Sequence, residues 1–291
     1  MASLANTIPS EVMGELIIVD LRKQLVAADV CNNYADGLIQ NFGDSVKIPS
    51  VQSQSVSDYT KNSTITYGSV DSASVILQVN QQKYFASSID SIDERQSVGN
   101  IAGIVLNDGV AALAEAADSY ILQTTMSNGA GIKGGSGNSA LGTSTTPLSV
   151  SANTSGVLNF FGRMMQRMDE SNVPQAGRWA IIPPWMHSYV VQNKLVDARG
   201  VANDEAYSNG KIGRILGFDL RVSSNATNAT TGTKSEVFAG YQQSVEFADN
   251  LVNAEIRELE TKFGEGVRGL YVYGSVVARA NTLLKAVVSQ V

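Results

Sequence analysis

The chain is 291 residues long, with 21 Lys and Arg against 27 Asp and Glu and a formal net charge of −6. Proteins that bind nucleic acid by neutralising phosphates lean the other way, so this balance argues against DNA or RNA as the primary ligand. A single cysteine, Cys31, and a single histidine, His187, exclude an internal disulfide, a thiolate metal site and a His-rich metal centre.

The first residues have no basic n-region, and their longest apolar run, Leu16 to Val19, is too short for a signal-peptide core. No stretch approaches the roughly eighteen apolar residues of a membrane span, so the chain reads as soluble and made in a reducing compartment. Residues 1–42 read as an arm with one short amphipathic helix through Leu16, Ile17, Leu21, Leu25 and Val26, broken by Asp29, Asn32, Asn33, Asp36 and Gly37. From Gly43 to Ile89 the period is two: Val46, Ile48 and Val51, then Ile65 and Tyr67, then Val75, Leu77 and Val79, around a polar stretch from Gln52 to Ser63. This predicts a long β-hairpin with too few apolar residues for a core of its own. An isolated hairpin is marginal in water, so the ribbon is expected to find shelter only on adjoining copies.

Ser91 to Met126 switches to helical spacing through Ile101, Ile104, Val105, Leu113 and Tyr120, with no proline and with Asp90, Asp93 and Glu94 at its expected start. Ala102, Gly103, Gly109, Ala111 and Ala117 would let neighbours approach this long spine helix closely. The Gly-rich stretch Ser127 to Pro147 reads as a loop and a domain boundary. An α/β block follows. A helix capped by Thr154 or Ser155 runs through Met168, a strand spans Trp179 to Ile182, Pro183-Pro184 starts a second helix, and strands flank Gly217. A polar loop covers Ser223 to Lys234; the rest is extended, with a charged segment Glu255 to Lys262, a turn at Gly264 to Gly266 and a strand Leu270 to Val277. The long strands and the spine helix together predict a second α+β layer built from non-contiguous pieces.

Motifs for chemistry are thin. Gly129, Gly131 and Gly134 spell G-x-G-x-x-G, but that fingerprint needs a strand before it and a helix after it; here it follows a helix, and a flexible linker explains it better. His187 lies just inside a helix, with no G-x-S-x-G elbow in the chain to supply a nucleophile. Asp90, Asp93 and Glu94 are explained as helix-start charges before they are read as catalytic acids. Glu255, Arg257, Glu258, Glu260 and Arg268 alternate in sign and read as an ion-pair ladder, solvated or at an interface. Asn62-Ser63-Thr64 and Asn225-Ala226-Thr227 match glycosylation acceptors by chance. Charged residues are only 16% of the chain, against about a quarter in ordinary soluble domains; such a surface points to large packed contacts in which few charges need desolvating.

The order of arm, long hairpin, spine helix, Gly-rich break, α/β block and final long strands resembles the HK97-type major capsid proteins of tailed bacteriophages. The resemblance extends to local sequence at Gly43 to Ile48, Lys83 to Asp93, Arg178 to Pro184, Ile212 to Val222 and Gly269 to Gly274. It implies an α+β, HK97-like capsid fold: an N-terminal arm (1–42), an extended hairpin or E-loop (43–88), a peripheral domain with the spine helix (89–135 and 241–280) and an α/β axial domain (136–240 and 281–291). It further implies a structural, non-enzymatic subunit with no cofactor, metal or catalytic residue. Such a subunit assembles in the host bacterial cytoplasm into pentamers and hexamers of an icosahedral virion head. The head encloses double-stranded DNA without sequence-specific binding, and separate scaffolding, portal and decoration proteins are its other possible partners; no membrane is involved. Tyr59, Lys61, Asn62, Glu255, Arg257, Glu258, Glu260 and Arg268 are the expected inter-subunit contacts. Some family members cross-link a hairpin lysine to a neighbour's asparagine; Lys61 is suitably placed, but the sequence identifies neither its partner nor a catalytic carboxylate. A flagellin-like filament and a dinucleotide-binding enzyme are the alternative readings, the first weakened because residues 255–291 read as strands rather than terminal helices.

Overall fold

Two sheets of different character organise the computed structural model, which describes residues 26–33, 45–51, 56, 58–62, 64, 72–90, 101–135, 137–193, 213–226, 234–260 and 262–290. Three antiparallel strands, β3 (Gln81–Asp90), β10 (Val245–Glu258) and β11 (Gly264–Val277), form an open sheet in the order β10-β11-β3. The predicted spine appears as helix α2 (Ile101–Tyr120), continued by a π-helical segment (Ile121–Met126) and a last α-turn (Ser127–Gly129). The start expected from sequence, with Asp93 and Glu94, lies outside the described residues. Asp90, expected at the helix start, is instead the final residue of β3, paired with Gly264.

The spine packs on one face of this sheet, where Ile89 and Val267 meet Ala102, with Phe85, Ile101, Val105 and Leu106 around them. Phe85 sets the spacing. A Cβ on Gly109 would lie 2.3 Å from the Phe85 ring and one on Gly269 2.4 Å from it, so the ring fills the gap between two glycines, one on the helix and one on the strand. The small residues of the spine thus serve close approach, as their spacing suggested.

The second sheet has seven strands. β12 (Leu284–Gln290) takes β4 (Ile132–Lys133) and β5 (Leu148–Val150) on one edge, and the order then runs β9 (Lys234–Tyr241), β6 (Arg178–Ile182), β8 (Phe218–Val222), β7 (Arg214–Ile215). Helices α3 (Thr154–Glu170) and α4 (Pro184–Gln192) cover it through Val157, Phe160, Phe161, Met164, Met186 and Val190, all buried. The cap of α3 is Asn153 rather than Thr154 or Ser155: its extended backbone lets Oδ1 accept from Gly156 N at 2.6 Å. Arg178, 2% exposed, donates to Asp169 Oδ1 at 2.6 Å and to Pro174 O at 2.9 Å, which ties the end of α3 to β6.

The Gly-rich stretch is not a free linker. Gly129 closes the spine helix, a Cβ there would lie 2.3 Å from Val277, and one on Gly131 would lie 2.5 Å from the carbonyl of Ala280. Gly142 adopts φ +75°, and its Cα approaches the Val287 carbonyl so closely that a Cβ would sit 2.1 Å from it. Leu141 is fully buried and accepts a hydrogen bond from Val287 N. Glycine is used here for close backbone contact and left-handed conformation, which composition cannot distinguish from mobility. The turn expected at Gly264 to Gly266 also falls elsewhere. Those residues open β11, and the chain reverses between Leu259 and Gly264, whose N–H and C=O are joined at 3.0 Å.

Candidate functional site

The ribbon consists of β1 (Ser45–Val51) and β2 (Ser72–Gln78), antiparallel, with Val46 opposite Leu77 and Ile48 opposite Val75. This places one apolar row on one face. Leu77 and Val79 are buried with Ala248 and Val272, flanked by Val46, Ile48, Leu270 and Val276. Gly274 admits the ribbon backbone: a Cβ there would stand 2.2 Å from Gln78 O. The base of the ribbon therefore rests on its own three-stranded sheet, which corrects the expectation that only other copies shelter it. Residues 81–88, grouped with the ribbon from sequence, pair with β11.

The outer part of the ribbon differs. Val56 is 98% exposed and Tyr59 68%, with Lys61 and Asn62 exposed beside them. Asn62 sits at φ +68°, a left-handed turn position that asparagine tolerates. An exposed valine and tyrosine of this kind offer apolar and aromatic surface for a partner to cover.

The charged cluster lies at the opposite end of the three-stranded sheet from the ribbon base. Glu255 and Arg268 are register partners, and Arg268 Nε donates to Glu255 Oε1 at 2.8 Å with a second bond from the other guanidinium nitrogen. Arg257 stands opposite Gly266, Glu258 opposite Glu265, and Glu260 lies in the connecting turn beside the highly exposed Phe263. Two like charges facing each other across strands are unfavourable in the isolated subunit. A groove of about 450 Å³, bordered by Ala86, Ser88, Arg257, Glu260, Gly266 and Arg268, crosses this end. Among the described residues no hydrogen bond or ion pair joins Tyr59, Lys61 or Asn62 to this cluster.

A third constellation escaped the sequence reading. The segment Val26–Asn33, with the short helix α1 (Ala27–Val30), packs on the spine through Val26, Ala27 and Val30 against Ala117, Ile121 and Leu122. Asp118, 2% exposed, accepts from Val26 N at 2.9 Å, Ala27 N at 2.6 Å and Asn225 Nδ2 at 2.8 Å. Asn32 then bridges to β10 through its backbone and donates from Nδ2 to Glu246 Oε1 at 2.7 Å. Burial pushes the Glu246 carboxyl above its usual range, opposed by that hydrogen bond. Burial, with Asp118 and Glu246 nearby, pushes the Cys31 thiol far up, so it is an inert structural thiol. The available signal was one aspartate inside the apolar run Ala116 to Leu122. Elsewhere, Arg214 beside Asp219 holds that carboxyl below its ordinary value. Asn225 is buried, which removes it as a glycan acceptor, and Gly129 and Gly131 are packed as described, which removes the dinucleotide reading.

No family model and no curated relative matches the chain. Solved structures do. One of Mycobacterium phage Che8 covers 97% of this chain and 98% of its own at TM-score 0.76 and 21% identity. The capsid structure of the cyanophage P-SCSP1u covers 97% and 92% at TM-score 0.71 and 16% identity. The capsid of the Myoviridae phage XM1 covers 99% of both chains at TM-score 0.59 and 12% identity. The chain thus has the α+β, HK97-like fold found in phage capsids, over nearly all of its length.

Proposed function

We propose that this chain is the major capsid protein of a tailed phage, a structural subunit that closes into an icosahedral head. The observation that carries the reading is the ribbon, anchored at its base on its own sheet, with Val56 and Tyr59, between its two strands in sequence, exposed to solvent. A surface of this kind gains stability only when a neighbouring subunit covers it, and heterologous contacts that close into rings generate shells. In this reading residues 1–42 are the N-terminal arm, 43–80 the extended loop, the spine with β3, β10 and β11 the peripheral domain, and the seven-stranded sheet with α3 and α4 the axial domain. Pentamers and hexamers tile the head, assembly takes place in the host cytoplasm, and the enclosed DNA is held without sequence-specific contacts. Tyr59, Lys61 and Asn62 meet one neighbour, and Arg257, Glu258, Glu260 and the Glu255–Arg268 pair meet another. Many modest contacts made at once give a strong assembly.

Electron microscopy of the expressed full chain tests this: closed shells are expected, and only dispersed small particles would overturn it. Deletion of residues 52–63 should leave the melting temperature nearly unchanged while abolishing shells. Intact shells from that variant would remove the ribbon from assembly.

A further inference from the structure

Two lysines meet at one edge of the large sheet, on the adjacent strands β4 and β12, and a third, Lys234 of β9, stands opposite Ser289, four residues further along β12. Lys133 and Lys285 are direct register partners on the parallel strands β4 and β12, an arrangement that like charges disfavour. Lys285 is spent locally: its Nζ lies 2.8 Å from Glu236 Oε1 and donates to Ser127 Oγ at 2.6 Å. Lys234 Nζ donates to Ser144 O at 2.7 Å, a neutral acceptor that leaves its charge uncompensated. The Lys133 side chain is exposed and makes no hydrogen bond or ion pair among the described residues. Glu236, buried, is already paired with Lys285, so the corner keeps an excess of positive charge in a chain of net charge −6.

Beside Lys133 and Lys285 lies a cavity of about 350 Å³, bordered also by Ser127, Asn128, Thr143 and Ser144. Apart from Val287 and two glycines, its described lining is cationic, hydroxyl and amide, with no acidic side chain. That is the donor chemistry of an oxyanion site, in which charge-assisted hydrogen bonds dominate. Gly134 also lines the cavity, at φ +65°, and an added Cβ there meets no atom within 4 Å. We propose that this corner binds a phosphate group, held by Lys133 with Asn128, Thr143 and Ser144 as hydrogen-bonding partners. The site stands on the cavity and its charges and is independent of the shell reading.

The probe is inorganic pyrophosphate in equilibrium dialysis against the full chain, in whichever assembly state it purifies. Saturable binding is expected, weakened about tenfold or more in Lys133→Gln, which removes a charged donor. Gly134→Asp and Gly134→Asn place equally sized side chains on a left-handed backbone that both tolerate, so a difference between them reports charge. Binding should be lost in the Asp variant and stay within about twofold of the parent in the Asn variant. Absence of saturable binding, indifference to Lys133→Gln, or equal behaviour of the two position-134 variants would overturn the site. Competition with a short DNA duplex separates the sources: displacement of pyrophosphate assigns the site to a phosphodiester, and retention assigns it to a free phosphate.

Discussion

Replacing Asp118 with alanine should release the Val26–Asn33 segment without unfolding the rest of the subunit. The carboxylate satisfies two backbone N–H groups and the Asn225 amide in a place where Asp118 is 2% exposed. Each buried donor left unpaired costs about 1–3 kcal/mol, and the freed Asn225 amide recovers part of its share by rearranging, so the segment loses about 3–5 kcal/mol. Cys31 lies in the same segment and is 8% exposed, which makes it a reporter of local opening. A loss of about 3 kcal/mol multiplies the open population, and with it the rate of thiol labelling under native conditions, by about 100-fold. Asp118→Asn should fall between parent and alanine, because it keeps one acceptor for the helix start but sets an amide nitrogen against that of Asn225. Thiol-reactive dye labelling, followed at constant temperature alongside circular dichroism, measures both effects. If Asp118→Ala labels within about threefold of the parent, the three hydrogen bonds do not hold the segment, and the reasoning fails.

Glu246 has a raised native pKa through burial, so the native state holds its proton more tightly than the unfolded chain does. The stability this contributes is complete below the unfolded value of about 4.3 and is lost as pH rises through the native value. Glu246→Gln should therefore raise the melting temperature at neutral pH and merge with the parent in acid; a constant offset across pH would refute it. Gly109→Ala, whose Cβ would stand 2.3 Å from Phe85, should destabilise by about 1–3 kcal/mol through overpacking despite alanine's better helix propensity, and Phe85→Leu in the same chain should recover part of the loss; chemical denaturation of both variants checks this. The Glu255–Arg268 pair is solvated, with side chains 33% and 54% exposed, so Arg268→Ala should change stability by less than about 1 kcal/mol. Tyr59→Ala should leave it unchanged, yet both variants should reduce shell yield; a large drop in melting temperature, or full assembly, would take these residues out of the interface.

Several elements could be read before any coordinates. The period-two rows of the ribbon, Val46 and Ile48 against Val75 and Leu77, are set by alternation alone, because one register puts every apolar residue on the same face. The spine helix and the amphipathic helix through Phe160 and Met164 follow from spacing in the same way. The Gly-rich stretch misled because glycine marks both loops and tight contacts; only the neighbours of Gly129, Gly131 and Gly142 decide between them. The candidate contact residues were legible as exposed or charged types, but the pairing of Glu255 with Arg268 and of Glu258 with Glu265 was not, since that depends on which strand lies beside which.

Alternation, helical spacing and charge balance are local properties, and by themselves they determined the two-strand ribbon, the spine helix, the helix through Phe160 and the poverty of chemical motifs. What tertiary structure alone decided are the meetings of residues far apart in the chain: Asp118 with Val26 and Asn225, Glu246 with Asn32, Lys133 beside Lys285, and the ribbon base on β11. Such contacts carry no signature in either partner's surroundings. They come into being only when packing removes water from both sides and leaves each buried polar group to find a partner.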